Sequence, residues 1–204
     1  MQTTPRLTAA LALAAVLLTP PTASAQNDPM AGMAPMAGHI MIPKGSIITV
    51  PDVEFMQGMI AHHAQAIYMS RMAAAHGANP RVLKLADKID QSQVAEIRIM
   101  QEWLRRYKQF APDTGSWRTM HMAGMLTEAQ LKQLDAAKQV DFDRAFLELM
   151  IQHHTGALKM VDDLLAAPLA AQEVDVSVFA NDVVAVQTAE IGVMRQMIRQ
   201  LSKP

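Results

Sequence analysis

The chain has 204 residues, is 50% hydrophobic and 4% aromatic, and holds 17 methionines and no cysteine. A formal net charge of −1 argues against the basic face of a nucleic-acid-binding protein. The absence of Cys excludes a disulfide scaffold, a thiolate zinc or iron–sulfur site, a Cys nucleophile and a cysteine-linked lipid anchor, and the methionine excess over ordinary composition needs a reason.

Residues 1–25 read as a secretory signal. Arg6 supplies the positive start, Leu7 to Leu18 the apolar run, Pro20 and Pro21 the break, and Ala23-Ser24-Ala25 the cleavage site. An apolar run of about a dozen residues is too short to cross ~30 Å of hydrocarbon as a helix. Export to the periplasm or beyond is therefore expected, with no membrane anchor after cleavage; no later segment reaches spanning length free of charges.

Residues 26–50 are expected to form a flexible Met-rich segment. Met30, Met33, Met36, His39 and Met41 stand in a Gly/Ala/Pro background that cannot make a buried helix face. Such segments can wrap Cu(I) or Ag(I) with neutral thioethers, and these need lose no proton to bind. A low-complexity linker is the alternative.

From 51 to 204 the signals are helical. Helix one is expected from Pro51 to His76, capped by Gly77. Asn79-Pro80 opens helix two, which ends before Pro112. A crossover of about thirty residues follows, with a short helix opened by the capping-box pattern Thr127-Glu128-Ala129-Gln130. Helix three runs from Asp141 to Ala166, ahead of Pro168, and helix four from about Gln172. Ile47-Ile48-Thr49-Val50 is a brief β-branched run and the single strand-like signal.

The body repeats itself. Phe55 to His63 (FMQGMIAHH) is echoed 91 residues on by Phe146 to His154 (FLELMIQHH), and Gln93, Glu96, Ile97 and Met100 recur 94 residues on as Gln187, Glu190, Ile191 and Met194. The three extra residues are expected in a loop near Pro168. Two duplicated αα-hairpins with short internal loops and one long crossover predict an all-α, ferritin-like four-helix bundle.

Asp52, Phe55, Met59, His62, Ala66 and Met69 follow a three-four spacing that marks a buried seam, with His63 one step round. The repeat places Met150, His153, His154 and Met160 likewise. Gln93, Glu96, Met100 and Trp103 form a second seam, echoed by Gln187, Glu190, Met194 and Met197. The expected core thus holds four imidazoles and two carboxylates among thioethers. A metal site is one reason for so polar an interior. The structural alternative pairs His62 with Glu190 and His153 with Glu96 in a satisfied polar layer. In the crossover, Met120, His121, Met122 and Met125 add soft donors where core packing does not require Met; covering the bundle end is their alternative role.

The repeated D-x-x-F-x-x-x-M-I-x-H-H-x-x-A-x-x-M pattern at Asp52–Met69 and Asp143–Met160, the Q-x-x-E-I-x-x-M element at Gln93 and Gln187, and the His121–Met125 loop together resemble a bacterial exported family of ferritin-like domains of unknown function. The resemblance covers about Pro51 to Leu201. It implies periplasmic binding of Cu(I), with Cu(II) or Ag(I) as further ions, in copper tolerance, alongside other copper-handling proteins of that compartment. Its implied ligands are drawn from Met59, His62, His63, Met69 and Met100, their counterparts Met150, His153, His154, Met160 and Met194, and the crossover loop. Two other readings remain open. A carboxylate-bridged di-iron or di-manganese oxidoreductase would need Glu-x-x-His motifs, and the chain has none, although Glu96 and Glu190 with four histidines could form an unusual site. A metal-free helical interaction module is the other.

Overall fold

A computed structural model describes Met1 and residues 40–201. The signal segment and Met30, Met33, Met36 and His39 lie outside the described residues. Five α-helices follow in order: α1 (Val50–Met72), α2 (Pro80–Arg106), α3 (Glu128–Ala136), α4 (Gln139–Ala166) and α5 (Val174–Leu201), with a 3-10 turn at Ser116–Arg118. No strand occurs among the described residues. The β-branched run instead leads into α1: Ile48 is buried, and Thr49 is the N-cap in a reciprocal capping box with Asp52. Asn79 caps α2 through Arg81 N, and the box at Thr127 and Gln130 opens α3 as the sequence predicts.

One helix end falls short of expectation, and the other is set by a motif the sequence did not announce. Regular α1 stops at Met72, and a looser turn carries the chain to Gly77, at φ +69°. There Ala78 N donates to Ala73 O (3.1 Å) and Gly77 N to Ala74 O (3.3 Å), the Schellman pattern that satisfies orphan carbonyls. Helix α2 ends at Arg106, well ahead of Pro112. Gln109 N reaches Leu104 O (2.8 Å) and Lys108 N reaches Arg105 O (3.1 Å) in the same motif, with Lys108 at φ +56°. A lysine there bears the steric cost of left-handed backbone, about 1–2 kcal/mol. Lys108→Gly is therefore expected to raise stability by about 0.5–1 kcal/mol, after the entropic cost of glycine; a urea melt in which the variant is no more stable than the parent would contradict this.

Both hairpin connections, 73–79 and 167–173, are equally long. The three extra residues of the second repeat are therefore not in its loop: α4 runs to Ala166, about a turn past the counterpart of Met72.

Helix α1 packs along α2 and α4 along α5, and the two pairs meet through α1 and α4. Long side chains join α2 to α5 and to Glu173 just before it. Trp103 Nε1 donates to Glu173 Oε2 (2.9 Å), Arg106 pairs with Asp175 (2.5 Å) and Lys88 with Glu190 (3.3 Å). The pairs are also tied end to end: Asp52 Oδ1 accepts from Ala171 N (2.7 Å) and Asp143 Oδ1 from Asn79 N (3.0 Å). Among the described residues α5 is long and apolar enough to cross a membrane by length and composition, although its inner face is buried in the bundle.

Candidate metal centre

His62 and His63 on α1 and His153 and His154 on α4 are all fully buried. Their seam spacing carries them inward, but their partners differ from the structural pairing considered above. The outer pair of imidazoles reaches the carboxylates, each within its own hairpin. His63 Nε2 lies 2.6 Å from Glu96 Oε2, and His154 Nε2 lies 2.9 Å from Glu190 Oε2. The inner pair face each other where the hairpins meet, with His62 and His153 ring centroids 3.8 Å apart at 40°. His62 Nε2 donates to the Ala123 carbonyl at 3.1 Å.

Hydrogen bonding leaves this layer incomplete. Nδ1 of all four imidazoles is buried without a partner, and so is Nε2 of His153. His62, His63 and His154 each direct Nε2 to an oxygen, so in a neutral ring the hydrogen sits on Nε2 and Nδ1 keeps its lone pair. Gln93 Oε1 and Gln187 Oε1, one turn before the two glutamates, are likewise buried and unpartnered. An unmade hydrogen bond on a buried group costs about 1–3 kcal/mol.

Burial first, and the neighbouring His63 imidazole second, lower the His62 pKa to about 3. His153 is lowered well below the ordinary histidine value by burial and then by His62. For Glu190, burial alone would raise the pKa, but the His154 hydrogen bond and charge together with Lys88 outweigh it and the net shift is downward.

The crossover lies directly on this layer. Gln65 holds its backbone from both sides, Nε2 to Leu126 O (3.1 Å) and Leu126 N to Oε1 (2.7 Å). In the second repeat Gly156 occupies the position of Gln65, and the loop rests against it: a methyl group on Gly156 would lie 2.0 Å from the Ala123 carbonyl oxygen. Gly124, at φ +76°, is as tightly placed against the Gly156 backbone. Sequence reading missed both contacts, although a glycine in mid-helix is a signal of close approach.

The methionines sort differently from their order in the sequence. Met59, Met100 and Met160 share one apolar cluster, and Met69, Met150 and Met194 the other. Each set takes one residue from each motif position and draws on both hairpins. Met120 and Met125 are buried, Met122 is half-buried, and His121 is exposed. Met41 is 73% exposed and is held through its carbonyl by Gln109 Nε2 at 3.0 Å. Glu96 is partly open to solvent, whereas Glu190 is buried. Among the described residues no three His, Asp or Glu side chains converge as a carboxylate–imidazole metal centre requires; thioethers are a separate class of donor.

Fold and site together define a small all-helical bundle whose interior carries paired histidines, carboxylates and thioethers in place of a wholly apolar core. The family model described as "domain of unknown function (DUF305)" matches residues 52–198, and the chain belongs to that family. No curated protein matches the chain. Among solved structures, a DUF305 fragment from Deinococcus radiodurans is 31% identical, with a TM-score of 0.66 over 75% of this chain and 98% of that one. CopM in its Cu(I)-bound form is 29% identical, with a TM-score of 0.60 over 74% and 98%. CopM has also been solved with Ag bound, at 28% identity, a TM-score of 0.60 and coverage of 74% and 98%.

Proposed function

We propose that this chain is an exported, non-enzymatic copper-binding protein, built as a ferritin-like bundle of two duplicated hairpins and acting in copper tolerance or trafficking. Cu(I) is the primary ion, with Cu(II) and Ag(I) as further ligands. The observation that carries the reading is the set of four fully buried Nδ1 atoms without hydrogen-bond partners. A purely structural core would satisfy them; a soft cation takes up the lone pairs and needs no counter-charge from a thiolate.

The donor set fits that ion. His62 and His153 stay neutral well below pH 7, so their nitrogens are free of protons when metal arrives. Candidate partners are His63 and His154, the sets Met59–Met100–Met160 and Met69–Met150–Met194, and the crossover residues Met120, His121, Met122 and Met125. Glu96 and Glu190 orient the outer imidazoles through Nε2, a common supporting role beside a metal-bound histidine. The likeness to CopM in its metal-bound forms supports the choice of ion, and the Arg6-to-Ala25 leader supports export.

The test is anaerobic Cu(I) competition against a coloured chelator, using residues 26–204. We expect stoichiometric uptake by the parent and loss of at least the core sites when His62, His63, His153 and His154 are all changed to Ala. In case that variant does not fold, Met59→Leu, Met100→Leu and Met160→Leu together conserve core volume, cost little stability, and should weaken Cu(I) binding at least tenfold. Absence of uptake by the parent, or unchanged affinity in both variants, would overturn the proposal.

A further inference from the structure

A groove outside the histidine layer has no part in this chemistry. It encloses about 700 Å³ between α1, α2 and the crossover turn that precedes the His-Met loop. That volume lies within the range of small-molecule sites. Its floor is apolar, with Ala64 and Ile67 from α1 and Val94 and Ile97 from α2. Its wall is the Trp117 ring, 4.9 Å from Tyr68 on α1 and 4.7 Å from the Arg118 guanidinium carbon.

The rim carries three arginines against one carboxylate. Arg71, Arg98 and Arg118 all line the groove. Arg71 is engaged by Asp90 (3.1 Å), whereas Arg98 and Arg118 have no carboxylate partner among the described residues. Asp135, the carboxylate in the lining, is committed to His76 at 3.1 Å. Two unpaired guanidinium groups beside an apolar floor are unexpected in a chain of net charge −1. Both share the groove with the buried Ile67 and Ile97 and with an indole that stacks on Tyr68.

We infer that this groove is a binding site for a small amphipathic anion, an organic carboxylate with an apolar body. The body lies over Ile67 and Ile97, out of water. The carboxylate is taken by Arg98 and Arg118, whose planar forks match its two oxygens. A neutral molecule of the same shape gains the floor alone, and a cation meets like charge at the rim.

Calorimetric titration of the metal-free mature protein with octanoate, 1-octanol and octylammonium tests this without reference to copper. Octanoate should bind saturably at one site, at least tenfold tighter than octanol, with octylammonium weaker still. The exposed pair Arg98→Gln and Arg118→Gln should reduce octanoate binding to the level of octanol, leave octanol unchanged, and leave the thermal melt unchanged. Equal binding of octanoate and octanol by the parent, or undiminished octanoate binding by the variant, would overturn the inference.

Discussion

The metal-free protein should lose about 4 kcal/mol of stability between pH 7 and pH 5, from His62 and His153 alone. Both are fully buried, and both have folded-state pKa values depressed below the ordinary 6.5, chiefly by burial. In the unfolded chain each takes up a proton as pH falls below 6.5. In the folded chain His62 does not do so until about pH 3. The unfolded state therefore binds more protons over that interval, and stability falls with falling pH by about 1.4 kcal/mol per pH unit for each histidine. From about pH 7.5 upward the contribution is complete and flat. Glu190, lowered in the net by His154 and Lys88, adds a loss of the same sign once pH enters the carboxylate range. Asp143, raised by burial, opposes it there. Against a typical total of about 5–15 kcal/mol, this is a large fraction. Urea melts at pH 7, 6 and 5 check it, and midpoints that do not move would show that the inner imidazoles exchange protons freely. Cu(I) should shift the loss to lower pH, because an ion on those nitrogens competes with protons.

Gly156→Ala should cost about 1–3 kcal/mol, the range for forcing extra volume into a packed interior. The added carbon would meet the Ala123 carbonyl oxygen at 2.0 Å and the Gly124 Cα at 2.5 Å, all of it backbone and none of it a side chain that can swing aside. The loop must lift, and His62 then loses its acceptor on Ala123, which leaves a second nitrogen of a buried ring unpartnered. The effect should therefore appear twice, as a lowered melting temperature and as faster proteolysis between Met120 and Met125. Gly192→Ala on α5 is the control. It faces open space and lies in a helix, so it should be neutral or slightly stabilising.

Cap chemistry is local, and the sequence was most informative there. Asn79 and the Thr127–Gln130 box open α2 and α3 as read, because a side-chain oxygen two or three residues from the amide whose hydrogen it accepts needs no tertiary context. The end of α2 was hidden because Lys108 takes a backbone conformation that usually announces itself with glycine. Seam spacing correctly sent four histidines inward, but periodicity on one helix does not say which neighbour lies opposite. His63 and His154, one step round from the interface, turn to the helix of their own hairpin, and this placed the carboxylates with the outer rings. How the methionines group is left open by the sequence for a similar reason. Met59 shares a cluster with Met160, and Met69 with Met150, so α1 and α4 run in opposite senses and a motif that is contiguous in sequence is divided between two ends. The arginine-rimmed groove was illegible, since Arg71, Arg98 and Arg118 come from three separate segments with no shared motif.

The two end-to-end ties bear on how the molecule can be taken apart. Asp52 accepts from the α4–α5 turn and Asp143 from the α1–α2 turn. A hairpin on its own would carry the aspartate but lack the amide that it binds, and would carry a turn whose amide has lost its acceptor. Either half, made alone, exchanges these two bonds for water, and a second copy of the same half offers both missing groups at once. Fragments 40–110 and 111–201 mixed in solution should therefore combine with each other, and each in isolation should be driven toward self-pairing rather than toward a folded monomer.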